Sequence, residues 1–213
     1  MRFFDDENLS CILAVIGIGP LLAHKQTMTA LDLFEHVSEV FVVGFAGGLV
    51  PSSQRGDLVI AKDIGKLRGQ EIKHSRSFFV GFAEHQSTWT RLVSSPEVIS
   101  DPIDKASIYS ATGFESVDME AWQVLECCEK KNISCSIVRV ILDAGSQTLP
   151  DFSDMISEFG QPKIGALLRT IWKHPQTVRD LWEMRPSVLM PLAQKYTHVI
   201  EEYIDKYYLK NER

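Results

Sequence analysis

Continuous β-branched runs and stretches of helical spacing succeed one another along the chain, and their order predicts its elements. Residues 11–19 form a continuous apolar run closed by Gly17-Ile18-Gly19-Pro20, the pattern of a central strand and its turn. A helix is predicted over residues 21–36, with Leu21, Met28, Leu31 and Phe34 loosely on one face. Residues 39–44 read as a second strand that runs into Gly44-Phe45-Ala46-Gly47-Gly48, a loop whose three glycines permit close approach of a ligand to the backbone. Gly56-Asp57 introduces a strand over residues 58–61, and residues 77–82 alternate weakly, as a further strand would. Asp101-Pro102 sets an N-cap residue before Pro at the first helical position and predicts a helix to Ala111. Ala121, Val124, Leu125 and Cys128 have helical spacing, and residues 134–142 are the last clear strand.

Past Leu149-Pro150 the pattern turns helical: residues 161–173, 175–185 and 191–210 each begin or end near Pro. An α/β chain followed by helical segments predicts one domain over residues 1–213. Residues 147–213 would be its mainly helical C-terminal part, covering a sheet face or an oligomer seam.

Composition narrows the class. Hydrophobic residues make up 45% and charged residues 23% of the 213, which is ordinary for a globular protein. A net charge of -6 disfavours binding to nucleic-acid backbones, which requires clustered Lys and Arg. No apolar run reaches the roughly 20 residues of a membrane span. The first ten residues carry Asp5, Asp6 and Glu7, the wrong flank for a secretory signal. Cys11, Cys127, Cys128 and Cys135 lack zinc spacing, and vicinal Cys127-Cys128 is a poor disulfide. They read as reduced, half-buried thiols of a cytoplasmic protein. The six histidines show no ligand spacing, so no metal is expected. His24 and His74 read as exposed. Trp89, Trp172 and Trp182 read as packing residues, the last two also suited to an apolar tunnel should the substrate carry a lipid.

Two carboxylates stand where core packing has no use for them. Glu120 opens a helical segment after Ser116-Val117-Asp118-Met119, and Asp143 ends the run Val138-Arg139-Val140-Ile141-Leu142. In a parallel α/β sheet such strand ends point into the ligand crevice. One carboxylate suits gripping a polyol and the other acting as an acid. Each also has a plain structural reading: Glu120 as an acid favouring a helix N-terminus, Asp143 as a turn or cap residue. Arg139, set among apolar residues, calls for a buried salt bridge before phosphate binding. The Gly17–Gly19 turn is too short for a dinucleotide fingerprint and reads as a tight strand-to-helix turn.

Taken in order, residues 17–20, 42–49, 56–59, 117–121 and 138–143 resemble the nucleoside phosphorylase and nucleosidase superfamily, which includes purine nucleoside and uridine phosphorylases and methylthioadenosine/S-adenosylhomocysteine nucleosidases. The match runs over about residues 11–146. Leu149-Pro150, residues 165–168 and His174-Pro175 look most like the hopanoid-associated branch. The resemblance implies a three-layer α/β/α fold with a central mixed sheet and a helical C-terminal extension. It implies cleavage of the N-ribosidic bond of a purine nucleoside, most simply a 5′-substituted adenine nucleoside, by phosphate or by water. It further implies no cofactor beyond inorganic phosphate as a candidate co-substrate, a small-molecule nucleoside as partner, and a homodimer or higher homo-oligomer.

By the same resemblance, Glu120 holds the ribose 2′- and 3′-hydroxyls, Met119 packs under the sugar, and Asp143 protonates or hydrogen-bonds purine N7. The base lies along a strand over residues 94–99 beside Val98 and Ile99, while Phe45, Ala46 and Gly47 sit near the ribosyl carbon. The chemistry suits these residue types. Departure of the base builds positive charge on the sugar, and protonation at N7 makes the leaving group neutral. Two departures support a second reading, a catalytically impaired nucleoside-binding or scaffold homologue. Active members begin with an additional strand, for which residues 1–10 are too polar. Phe45 stands where hydrolytic members carry Ser or Thr, and no Arg lies near Val42 as in many phosphorolytic ones. A third reading, a nucleotide sensor of another doubly wound type, is disfavoured by the absence of phosphate loops.

Overall fold

The computed structural model describes residues 2–6, 9–68, 71–77, 88–148 and 186–204. In chain order these form β1 (Arg2–Asp6), β2 (Leu9–Leu13), α1 (Pro20–Leu33), β3 (Glu39–Gly48), β4 (Leu58–Arg68) and β5 (Glu71–Ser77). They continue with β6 (Thr88–Ser94), α2 (Pro102–Thr112), β7 (Ser116–Asp118), α3 (Ala121–Lys130), β8 (Ser134–Asp143) and α4 (Pro186–Ile204).

The six-stranded sheet runs β5-β4-β6-β7-β3-β8, and β8 also pairs back onto β4. Five strands thereby close on themselves, with β5 extending outward from β4. Pairing is mixed: β3–β8, β4–β6 and β6–β7 are parallel, whereas β3–β7 and β4–β8 are antiparallel. Closure explains why β8 is buried along nearly its whole length, with Ile137, Val138 and Val140 all shut off from solvent. A strand with neighbours on both edges and apolar groups on both faces needs the continuous apolar run seen there.

Two cores occupy opposite faces of these strands. Val42, Ala46, Val59, Ala61, Ile64, Leu92, Ile137 and Ile141 pack with Ala23 and Leu31 of α1 and Trp122, Val124 and Leu125 of α3. Val93, one residue after Leu92, lies in the other core with Leu49, Leu67, Ile108, Phe114 and Val117. That alternation is the two-residue period of a strand. A bulge between Ala61 and Asp63 switches the phase of β4, so Ile64 rejoins the core of Val59 and Ala61. Each such buried aliphatic side chain contributes about 1.5–3 kcal/mol over its exposed state.

The mixed sheet, its covering helices and the C-terminal helix agree with the α/β fold read from the sequence, as do α1, α2, α3 and β8. Asp101 caps α2 by accepting from Ile103 N at 2.7 Å, and Gly113 ends it in the left-handed region. Other readings are corrected. Residues 11–19 are not a central strand: among the described residues β2 pairs only with β1, in a separate two-stranded sheet, and Val15 beyond it is 80% exposed. Apolar composition cannot bury a segment that has no partner strand in the sheet. Residues 2–6, set down as too polar, are a strand because the antiparallel ladder from Arg2↔Leu13 to Asp6↔Leu9 engages the backbone whatever the side chains.

The buried face of α1 is Ala23, Thr27 and Leu31, while Leu21 is 75% exposed. The glycine-rich stretch 44–48 is no loop but the last half of β3, paired with β7 and β8. The predicted strand over 94–99 is displaced, since β6 ends at Ser94 and a turn follows in which Ser95 Oγ donates to Glu97 O. Helix α4 begins at Pro186 and carries Pro191 within it, earlier than the predicted start. Residues 78–82 and the helices read over 161–173 and 175–185, with Trp172 and Trp182, lie outside the described residues. Among the described residues, no helix is long and apolar enough to cross a membrane.

The end of β8 is clamped by the segment after β3. Ile141 N donates to Asp57 O at 2.8 Å, and Gly145 N donates to Ser53 Oγ at 2.9 Å. A Cβ on Gly145 would lie 2.2 Å from Val50 O, a backbone atom that cannot swing aside. Gly145→Ala is therefore expected to cost about 1–3 kcal/mol, read as a lowered urea midpoint with an unchanged slope.

Candidate functional site

Strand β7 has three residues, and its end carries the densest polar network in the described structure. Asp118 Oδ2 accepts from Arg139 Nε at 3.0 Å and Nη2 at 2.8 Å, and from Ala121 N at 3.1 Å. Its Oδ1 accepts from Ser94 Oγ at 2.6 Å, and that hydroxyl accepts in turn from Trp122 N at 2.9 Å. Asp118 therefore satisfies two of the orphan N–H groups that open α3, one directly and one through Ser94. Arg139 thus meets the expectation of a structural salt bridge, and Gly44 makes room for it: a Cβ there would lie 3.1 Å from Nη1.

Glu120 stands at the N-cap of α3 but caps nothing with its side chain. Its Oε1 instead accepts from Gly19 N at 2.7 Å, which ties the α3 entrance to the Gly17–Gly19 turn that opens α1. Gly17 and Gly19 have φ of 73° and 90°, a backbone that side-chain-bearing residues rarely adopt. Met119 reaches the same turn, its Cε 4.0 Å from where a Gly19 Cβ would be. Burial raises the Glu120 pKa, and the neighbouring Asp118 charge adds to this. The Gly19 N–H and Arg139 pull the other way.

Asp143 lies on the other side of the sheet. Ala46 pairs with Ile141 but Gly47 with Asp143, so Leu142 is an extra residue in β8 and reverses its phase. Arg139 and Ile141 keep to the α3 side, whereas Asp143 turns toward α2. There its Oδ2 accepts from Lys105 Nζ at 2.5 Å. Lys105 has no exposed surface and also donates to Ala144 O at 3.2 Å and Gln147 O at 2.8 Å. Against Gly47, a Cβ would come within 3.2 Å of Asp143 Oδ2 and 3.3 Å of Oδ1. Burial raises the Asp143 pKa, with the Lys105 contact opposing it. Sequence reading missed Lys105 because its spacing puts it on the same face of α2 as Ile108, where an apolar residue is the rule.

The predicted site residues thus form two groups joined by β7. Gly19, Met119 and Glu120 meet at one end; Gly47, Val117 and Asp143 meet across β3. The first group faces α3 and the second faces α2, on opposite sides of the sheet. Ile99 packs against the core that includes Val117, and Val98 is half-buried. Ala46 points into the α1–α3 core, so its backbone alone is left for a site, while Phe45 is half-buried. His24, read as exposed, is half-buried against Cys127 Sγ at 3.3 Å. Burial, then the neighbouring Cys128, pushes the Cys127 thiol up to about 11. Four free thiols are present, only Cys11 exposed, and Cys127, Cys128 and Cys135 are more buried than their sequence reading had them.

Residues 7–101 match the family model described as the phosphorylase superfamily. Among solved structures, the 5′-methylthioadenosine/S-adenosylhomocysteine nucleosidase of Neisseria meningitidis, in complex with methylthio-immucillin-A, is similar. Its TM-score is 0.58 at 19% identity, covering 68% of this chain and 72% of that one. The corresponding nucleosidase of Campylobacter jejuni gives 0.57 at 20% identity over 80% of this chain and 84% of that one. Futalosine hydrolase of Helicobacter pylori gives 0.60 at 17% identity over 80% and 83%. None of the curated proteins matches the chain significantly. Residues 7–101 thus carry the pattern of the superfamily that the sequence resembles, and the chain shares the fold of these nucleosidase structures.

Breaking the Asp118–Arg139 pair strands a guanidinium that is 3% exposed. Asp118→Ala is expected to cost about 3–5 kcal/mol in urea denaturation, and the paired change Asp118→Leu with Arg139→Met to recover much of it.

Proposed function

We propose that this protein cleaves the N-ribosidic bond of a purine nucleoside, most simply a 5′-substituted adenine nucleoside, with phosphate or water as the attacking group. The observation that carries this reading is Asp143: a buried carboxyl with raised proton affinity, at the carboxyl end of a parallel strand and against a glycine, in a phosphorylase-superfamily fold. When protonated, this carboxyl can give its proton to purine N7 as the bond from C1′ to N9 breaks and its electron pair passes to the base. General acid help of this kind contributes roughly 10²–10⁴ in rate.

Glu120 takes the ribose hydroxyls. Oε1 accepts the Gly19 N–H, and the two oxygens of a carboxylate together have about four lone-pair sites, enough to accept ribose hydroxyls as well. When ionised, its charge also favours the cationic sugar. Met119 lies beside it as the apolar floor of the sugar. A similar nucleosidase structure, solved in complex with methylthio-immucillin-A, supports the same substrate class. We extend the proposal to a homo-oligomer that works without metal.

One observation favours the second reading, a nucleoside-binding homologue without activity. The Lys105 ammonium 2.5 Å from Asp143 stabilises the ionised carboxylate, which is no acid. Incubation with adenosine, methylthioadenosine and S-adenosylhomocysteine, with and without phosphate, separates the two. The enzyme reading expects free adenine, and Asp143→Asn is expected to lower its release by 10²–10⁴ with the fold retained by circular dichroism. If these nucleosides raise the melting temperature yet stay intact over days, the enzyme reading is wrong.

A further inference from the structure

The ammonium of Lys105 is enclosed between α2 and the end of β8, and all three of its N–H groups are directed at Asp143 Oδ2, Ala144 O and Gln147 O. Stability alone does not call for such a residue. A buried ion pair is often matched or bettered by apolar side chains of similar volume. Its hydrogen bond goes to one oxygen of Asp143, Oδ2. It also fixes the two carbonyls that follow β8, so the carboxylate and its loop move as one unit.

We propose that Lys105 is a positioning residue of the purine-facing site. It holds Asp143 by Oδ2, presents Oδ1 to the base, and sets the pH above which Asp143 can no longer supply a proton. This rests on the N-ribosidic reading. In the step it serves, Asp143 Oδ1–H protonates N7, the C1′–N9 pair goes to the base, and C1′ is attacked by a phosphate oxygen or by water, which then loses a proton to solvent. The carboxylate then takes a proton back from solvent. Among the described residues the other charged group near Asp143 is Arg55, from the segment between β3 and β4; Gly47, against which the carboxyl lies, and Val117 beside Gly47 do not titrate.

The sign follows from the geometry. Removing the ammonium while burial persists makes Asp143 harder to ionise, so its folded-state pKa rises further above the unfolded value. A carboxyl with a raised folded pKa stabilises the fold while protonated. That stability is lost as pH rises from the unfolded toward the folded pKa. In Lys105→Met, the alkaline limb of adenine release is expected to move up by about one pH unit or more, with Lys105→Arg returning it to the wild-type position.

An activity-independent arm uses melting temperature over about pH 5 to 9. The fall with rising pH is expected to extend to higher pH in Lys105→Met than in wild type, and this extension to be lost in Lys105→Met with Asp143→Asn, leaving the share that Glu120 contributes. Should Lys105→Met not fold, Lys105→Gln keeps donors for the loop carbonyls, removes the charge, and is held to the same displacement. Superimposable profiles for wild type and the neutral variant overturn the proposal. Absence of adenine release by the wild-type protein sinks the N-ribosidic reading instead, and the melting arm then decides on its own whether Lys105 controls Asp143.

Discussion

Burial of the Arg139–Asp118 pair is the constraint around which the central strands are arranged. Arg139 lies within β8, a strand with neighbours on both edges, where an unpaired guanidinium would cost several kcal/mol. The compensating carboxylate comes from the three-residue strand β7, held beside it by pairing to β3 and β6. Gly44 leaves the space the guanidinium fills, and Ser94 completes the oxygen shell of Asp118. One carboxylate therefore neutralises a strand, opens helix α3 and fixes where Met119 and Glu120 emerge. Met119 and Glu120, the residues proposed to meet the sugar, inherit their positions from that pair.

A second charged pair, Lys105 with Asp143, sits across the same sheet, and the two are kept apart by one residue. Leu142 is the extra member of β8 that turns Asp143 toward α2 while Arg139 stays toward α3. Four buried charges thus separate into two neutral couples on opposite faces instead of one crowded cluster. This division gives the two proposed site carboxylates different surroundings. Glu120 answers to a backbone N–H and a like charge, Asp143 to an ammonium. Different surroundings are what allow two carboxyls to take different roles, one as anion and one as proton donor.

Much of this was legible in the chain. The β-branched stretch of residues 134–142, apolar but for its serines and Arg139, reads as a buried strand, and Asp101-Pro102 dictates a helix start by local chemistry alone. The ordered motifs carried the superfamily, and Arg139 among apolar neighbours announced a partner, though not which one. Residues 11–19 misled because apolar composition reports a wish for burial, while burial itself depends on a partner strand elsewhere in the chain. Residues 44–48 misled in the opposite sense. Their glycines permit a loop, yet β7 and β8 on either side hold them extended.

The sequence by itself determined the elements whose signals are local: caps, glycine turns, the long apolar strand, and carboxylates at its end and at a helix entrance. Only the tertiary structure decided that β8 pairs back onto β4, that Leu142 bulges, and that a lysine 38 residues from Asp143 is its counter-ion. The reason is physical. Local propensity acts over a few residues, whereas charge neutralisation and strand pairing act between groups that only the closed sheet brings within 3 Å.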